Sequence, residues 1–167
     1  MNIAADVAWP GQGGGGESFA VFLAVAACLV VWAVVRERAR TRRIRQLARS
    51  RNLASIGARM PVACPLQRAR AFAAVKSLRR AVVGSNGPRE LVLVDCRIGH
   101  RRRPRGRTIV AVRGEPDGYI WMRLGPDLSR EQVDEWSLVY SSNRYMTIEE
   151  IEGLMAVFSG PEPLAQP

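Results

Sequence analysis

Ser18–Val35 reads SFAVFLAVAACLVVWAVV, eighteen positions without a charged side chain, and the following Arg36–Arg51 holds eight arginines against the single Glu37. As an α-helix, eighteen residues rise about 27 Å, close to the roughly 30 Å of a bilayer's hydrocarbon core. Flanking arginines can snorkel to make up the difference, and Trp32 lies near the basic end, where an indole ring suits the headgroup boundary. A soluble amphipathic helix would carry a polar stripe, and this segment has none. A cleaved signal peptide would begin with a basic region, yet residues 1–17 carry Asp6 and Glu17 and neither Lys nor Arg. Lipoprotein-type processing at Val25-Ala26-Ala27-Cys28 is opposed by the seven apolar residues that continue past the cysteine. The segment is therefore expected to span a membrane over residues 18–35.

Charge sets the expected orientation. Side chains sum to −2 up to Glu17 and to +7 over Arg36–Arg51 (eight Arg minus Glu37). Arginine resists translocation, so the C-terminal side is expected in the cytoplasm and the N-terminus outside. Residues 1–17, with the run Gly11-Gln12-Gly13-Gly14-Gly15-Gly16, are expected as a flexible tail. Arg36, Arg38, Arg40, Arg42 and Arg43 are the expected juxtamembrane anchor beside anionic lipid.

Beyond this lie 116 residues, Asn52–Pro167, enough for one small domain. Cys64 and Cys96 stand thirty-two residues apart with no CxxC, and His100 is the lone histidine, so a Cys/His metal site is short of ligands. No cofactor is expected. Of twenty-five basic residues only Lys76 is lysine, a bias that codon supply in a GC-rich genome would produce. Distribution says more than total: residues 52–113 sum to +12 (fourteen basic, two acidic) and residues 114–167 to −7 (three basic, ten acidic).

Good helix formers and no Gly or Pro run from Arg36 to Gly57, so the membrane helix is expected to continue and end between Ser50 and Gly57. A basic juxtamembrane helix over 36–57, a cytoplasmic domain over 58–160 and a tail over 161–167 follow. Residues 58–65 read as a connector and Leu66–Leu78 as a short amphipathic helix. Strands are expected at Ala81–Val83, Leu91–Ile98, Thr108–Val112 and Tyr119–Leu124, with an edge strand at Leu138–Tyr140. Ser129 with Gln132, and Thr147 with Glu150, match capping boxes and predict two helices. Ile148, Ile151, Leu154 or Met155, and Phe158 give the second an apolar stripe. The fold class is α+β: an antiparallel meander with a C-terminal helix.

The loop His100-Arg101-Arg102-Arg103-Pro104-Arg105-Gly106-Arg107 is the densest basic stretch of the domain. Arg101, Arg102, Arg103, Arg105 and Arg107 suit phosphate, in lipid headgroups or in nucleic acid, and equally suit a solvated hairpin tip. Aromatics do not alternate with these arginines, which sets nucleic acid below lipid. Asp95, mid-strand between Val94 and Cys96, is expected to pair with Arg97 or Arg107 on a partly exposed face. Catalysis there would need a second acid, a base or a metal, and the sequence offers none at a recognisable spacing. No phosphate-binding glycine loop is present.

As a whole the chain resembles the single-pass membrane proteins common in GC-rich, actinobacterial-type genomes. The likeness rests on Arg42-Arg43-Ile44-Arg45-Gln46-Leu47-Ala48, on Ala81-Val82-Val83-Gly84 before a turn, on Leu93-Val94-Asp95-Cys96-Arg97 and Thr108-Ile109-Val110-Ala111-Val112 about a basic loop, and on the Glu149–Phe158 helix. It implies architecture and brings no activity. The expected function is a non-catalytic accessory or interaction module at the cytoplasmic membrane face, with membrane lipids and a protein as partners. A tethered nucleic-acid-binding domain is the alternative, and a small enzyme centred on Asp95 ranks behind it.

Overall fold

The computed structural model describes residues 15–61, 64–99, 105–114 and 126–158. The expected strand at Tyr119–Leu124, the loop residues His100–Pro104, most of the N-terminal tail and the C-terminal tail lie outside them. Helix α1 spans Gly15–Ser50 without a break; it continues past Val35 as expected, and it begins at Gly15, inside the stretch expected as a flexible tail. It contains a window of mean hydropathy 2.5, none of it buried, and is the one helix among the described residues long and apolar enough to cross a membrane.

The chain divides into two compact units at Arg40/Thr41. In the first, the apolar side chains of α1 lie open: Phe22 is 68% exposed and Trp32 60%. In the second, the last turns of α1 are amphipathic. Ile44, Leu47 and Ala48 recur at helical spacing and are buried, while Arg42, Arg43, Arg45 and Arg49 are exposed. Asn52, at φ 56°, takes the left-handed position that ends the helix. The Asn52 amide donates to the Arg49 carbonyl at 3.2 Å and the Leu53 amide to the Ala48 carbonyl at 2.7 Å, which closes the last turn.

Six strands form one antiparallel sheet among the described residues: β1 Ala54–Gly57, β2 Val75–Asn86, β3 Arg89–Ile98, β4 Arg105–Arg113, β5 Leu128–Val133 and β6 Trp136–Ser141. Their order is β1-β2-β3-β4-β6-β5, a four-strand meander extended by a hairpin that joins through its second strand. Gly87, at φ 66°, takes the first central position of the β2–β3 turn, where a side chain would be strained. Helix α2 spans Ile148–Phe158. The Thr147–Glu150 capping box is formed: the Thr147 amide donates to Glu150 Oε2 at 2.7 Å and the Glu150 amide to Thr147 Oγ1 at 3.1 Å.

Four expectations are corrected. Leu66–Leu78 is not a helix but two 3-10 turns, Leu66–Arg68 and Arg70–Phe72, running into a twelve-residue β2. The Ser129–Gln132 box does not start a helix, because those residues pair with Tyr140–Ser137 as β5. Strand β6 is interior rather than edge, held between β4 and β5. The fold also begins before residue 58: β1 pairs with β2, and Ile44, Leu47, Ala48 and Leu53 belong to the core.

Both faces of the sheet are covered. On one, the end of α1 and α2 pack on Val82, Leu91, Leu93, Val110, Val112 and Val139. On the other, the segment around Cys64, Leu66, Ala69 and Ala71 packs on Val92, Val94, Ile109 and Trp136. Double coverage explains why β3 reads as a continuous apolar run rather than an alternating one.

Candidate functional site

A buried polar network lies on the helix-covered face. Asp95 alternates with Leu93 and Leu91 and therefore points toward α1 and α2, and it is 1% exposed. Arg80 Nη1 donates to Asp95 Oδ2 at 2.7 Å, and Thr108 Oγ1 donates to Asp95 Oδ1 at 2.6 Å. Arg80 Nε donates to Thr41 Oγ1 on α1 at 2.9 Å. Thr108 Oγ1 also accepts the Met146 amide at 3.1 Å, and the Thr108 amide donates to Ser141 Oγ at 3.1 Å. One carboxylate thus joins α1, four strands and the approach to α2.

The expected partners of Asp95 are corrected by this geometry. Arg107 stands opposite Cys96 and faces the other side of the sheet, and Arg97 is exposed. Arg80 reaches Asp95 because β2 carries an irregularity between Leu78 and Arg80, where two residues oppose one. A regular strand would have placed Leu78 and Arg80 on one face. With the bulge, Leu78 packs on the Trp136 side and Arg80 on the helix side. Charge and spacing in the sequence carry no sign of the bulge, so Arg80, Thr41 and Ser141 were not foreseeable as partners.

Chemically the network is closed. Both Asp95 oxygens are engaged and the Arg80 side chain is 9% exposed, so the acid is enclosed. An ion pair so enclosed holds elements in register, because removing either partner strands the other charge away from water.

The basic candidates divide. Arg105 is exposed at the start of β4, and Arg101, Arg102 and Arg103 lie outside the described residues. Arg107 is taken up inside the domain: its Nη1 donates to the Ala71 carbonyl, its Nη2 to the Ser142 carbonyl at 3.2 Å, and its guanidinium stacks 5.1 Å from the Tyr140 ring centroid. It clamps the 3-10 segment to β6 instead of standing free for an anion. On α1, Arg36 lies 5.2 Å over the Trp32 ring, Arg38, Arg42 and Arg43 are exposed, and Arg40 is half-buried.

An open groove of about 660 Å³ lies between Met60, Pro61 and Cys64–Arg68 on one side and the β5–β6 turn on the other, with Cys64 and Trp136 in its wall and the Arg68–Asp134 ion pair at 3.0 Å on its rim. Burial pushes the Cys64 thiol up to about 12, and burial does the same to Cys96. Both are protonated at neutral pH and offer no thiolate nucleophile. Glu131 caps the second 3-10 turn by accepting the Arg70 amide at 2.7 Å and the Ala71 amide at 3.0 Å. Asn86 Nδ2 donates to the Met155 carbonyl at 2.6 Å and ties the β2–β3 turn to α2. No group of three or more metal-ligating side chains occurs among the described residues. A scan against protein-family models, a search of curated proteins and a search of solved structures each find no match.

Proposed function

We propose that this chain is a single-pass membrane protein whose α+β domain lies at the cytoplasmic face and acts by binding a protein partner, as an accessory module, rather than by catalysis. One observation carries the reading. The helix with the apolar window ends as a structural part of the domain, with Ile44, Leu47 and Ala48 in its core and Thr41 held by Arg80. The exposed arginines of that helix supply the charge asymmetry that supports the proposed orientation. The enclosure of Asp95 and the protonated thiols favour binding over chemistry. A nucleic-acid surface would need the arginines of residues 68–80 and 97–107 to share one open face. Arg80 and Arg107 are used internally and Arg68 pairs with Asp134, which counts against it.

Topology is the test. Cys64 and Cys96 are buried, so neither reports on sidedness. Ser85 is exposed on β2, and S85C in a C28A background places one accessible thiol on the domain. Intact cells treated with a membrane-impermeant maleimide should leave it unlabelled, and permeabilised cells should label it. The chain should also stay in the membrane fraction through alkaline carbonate washing. Labelling in intact cells would overturn the orientation, and release by carbonate would overturn the span.

A further inference from the structure

We propose that Asn86-Gly87 is a site of spontaneous chemical modification by water, and that its product releases the end of α2 from the sheet. The inference concerns the domain alone and does not depend on how the chain sits in a membrane.

The two residues supply the reacting groups. Glycine has no Cβ to crowd the approach of its backbone nitrogen to the side chain before it. The deprotonated Gly87 nitrogen attacks Asn86 Cγ, a C–N bond forms, and Nδ2 leaves as ammonia. Water then opens the succinimide ring at one carbonyl or the other, which leaves aspartate or isoaspartate at position 86. The net change consumes an amide and a water and yields a carboxylic acid and ammonia.

The fold withholds this reaction. Asn86 is 4% exposed, and its Nδ2, the leaving group, donates to the Met155 carbonyl at 2.6 Å. Strand pairing with Arg89 holds the Asn86 backbone extended. Ring closure needs the side chain to swing toward Gly87, so the bond to Met155 must break first. Gly87 itself is exposed at the hairpin tip. The attacking nitrogen belongs to the tip and the attacked carbon to the core, and the Met155 bond keeps that carbon there.

The product does not restore what it replaces. Met155 lies in the last turn of α2, where helix carbonyls run short of intrahelical donors, and Asn86 provides one. A carboxylate at position 86 has no N–H to give, meets a carbonyl oxygen, and lies at the negative end of the helix dipole. Arg89 offers it another partner. It stands directly opposite Asn86 across the hairpin and is half-buried, and facing pairs of this kind hold their Cβ atoms about 5 Å apart. Arg89 forms no ion pair with a described residue. The charge created at position 86 is therefore drawn away from α2 and toward β3. Met155 and Phe158, both 0% exposed in the core, then lose a tie that seats them.

The test uses the full chain in detergent micelles at mildly alkaline pH, folded and in urea. Samples taken over days are digested and weighed for amide-to-acid conversion at Asn86, with the exposed Asn143 as internal reference. Relative to Asn143, Asn86 should convert at least about tenfold more slowly in the folded chain than in urea, because reaction waits for local opening. T147A weakens the cap of α2 and should raise the folded-state rate at Asn86 roughly fivefold, leaving Asn143 unchanged. N86D reports the product. Its amide hydrogen exchange should rise in the last turn of α2 and stay slow in β2 and β3, and R89S should lower the urea midpoint of N86D more than that of the parent. Equal relative rates in the folded and unfolded chain overturn the protection, and an unchanged rate in T147A overturns α2 as its source. If N86D keeps the parent's exchange in α2, the modification releases nothing and the inference falls. Should N86D not fold, aged parent chain separated by its added negative charge gives the same exchange readout with the same two outcomes.

Discussion

On β2, β3 and β4 two sets of charged residues sit a few positions apart. Arg80 and Asp95 face the layer built by α1 and α2, and their side chains are 9% and 0% exposed. Lys76, Arg97 and Arg105 lie a few positions further along the same strands and stand in water. The difference is one of cover. Where helices lie over the sheet, a charge persists only if every polar atom finds a partner, and here Thr41, Thr108 and each other supply them. Past the edge of that cover water does the same work, and no partner is needed. Enclosed charge therefore specifies how the helix joins the sheet, and open charge is free for contact outside the fold.

The sharpest way to break this comparison is to strand one member of the enclosed pair. D95A leaves the Arg80 guanidinium buried without its carboxylate and should cost about 3–5 kcal/mol, read from urea unfolding of the full chain in detergent micelles. Replacing both, as R80M/D95L, should recover most of that loss, because an apolar pair of similar volume needs no partner. A loss below about 1 kcal/mol for D95A would show that water reaches the pair.

The two thiols probe enclosure without a strong partner. Burial raises both from the usual 9.0 to about 12. The unfolded chain therefore loses these protons first as pH rises. Their contribution is intact below pH 9 and disappears between 9 and about 12. Thermal midpoints should fall across that window, and C64A/C96A should flatten the fall. An unchanged slope in the double variant would mean that other groups control the alkaline limb.

Smaller effects belong to single hydrogen bonds at the edge of the cover. N86A removes the donor to the Met155 carbonyl and should cost about 1 kcal/mol. T147A removes the α2 cap and should cost about 1 kcal/mol. The Arg144 guanidinium, bonded to Glu150, holds that carboxyl below its ordinary value. Its stabilisation is present above the unfolded value of 4.5 and is lost as pH falls through the lower folded value. A T147A chain that melts like the parent would deny the cap any part in stability.

How much of this was legible follows from period and local chemistry. The apolar window, the continuation of α1 and the Thr147–Glu150 cap are signals carried by neighbouring residues, and they appear as read. The strand at Leu91–Ile98 was legible as an apolar run. The Ser129–Gln132 box misled because its residues satisfy a local motif equally well while a partner strand claims their backbone. The Arg80–Asp95 pair was out of reach for a different reason. It depends on a one-residue bulge in β2, and a one-residue change of parity sends a side chain to the opposite face. Of the two expected partners, Arg97 alternates onto the face of Asp95 but is exposed, and Arg107 takes the other face of the sheet.

The smallest expected effect concerns the open set. K76S, R97S and R105S should each change stability by no more than about 0.5 kcal/mol, since each side chain is exposed and ion-paired to no described residue. The sign is also specified. Three like charges brought to one end of a sheet repel, so the triple variant should be equal to the parent or slightly more stable at low ionic strength. Any gain should vanish as salt rises, because screening shortens from about 10 Å at 0.1 M to about 3 Å at 1 M. Urea midpoints of parent and triple variant at two salt concentrations provide the check. A clear loss of stability at both would mean that these cations hold the fold together, as Arg80 and Arg107 do, and the division between enclosed and open charge would have to be redrawn.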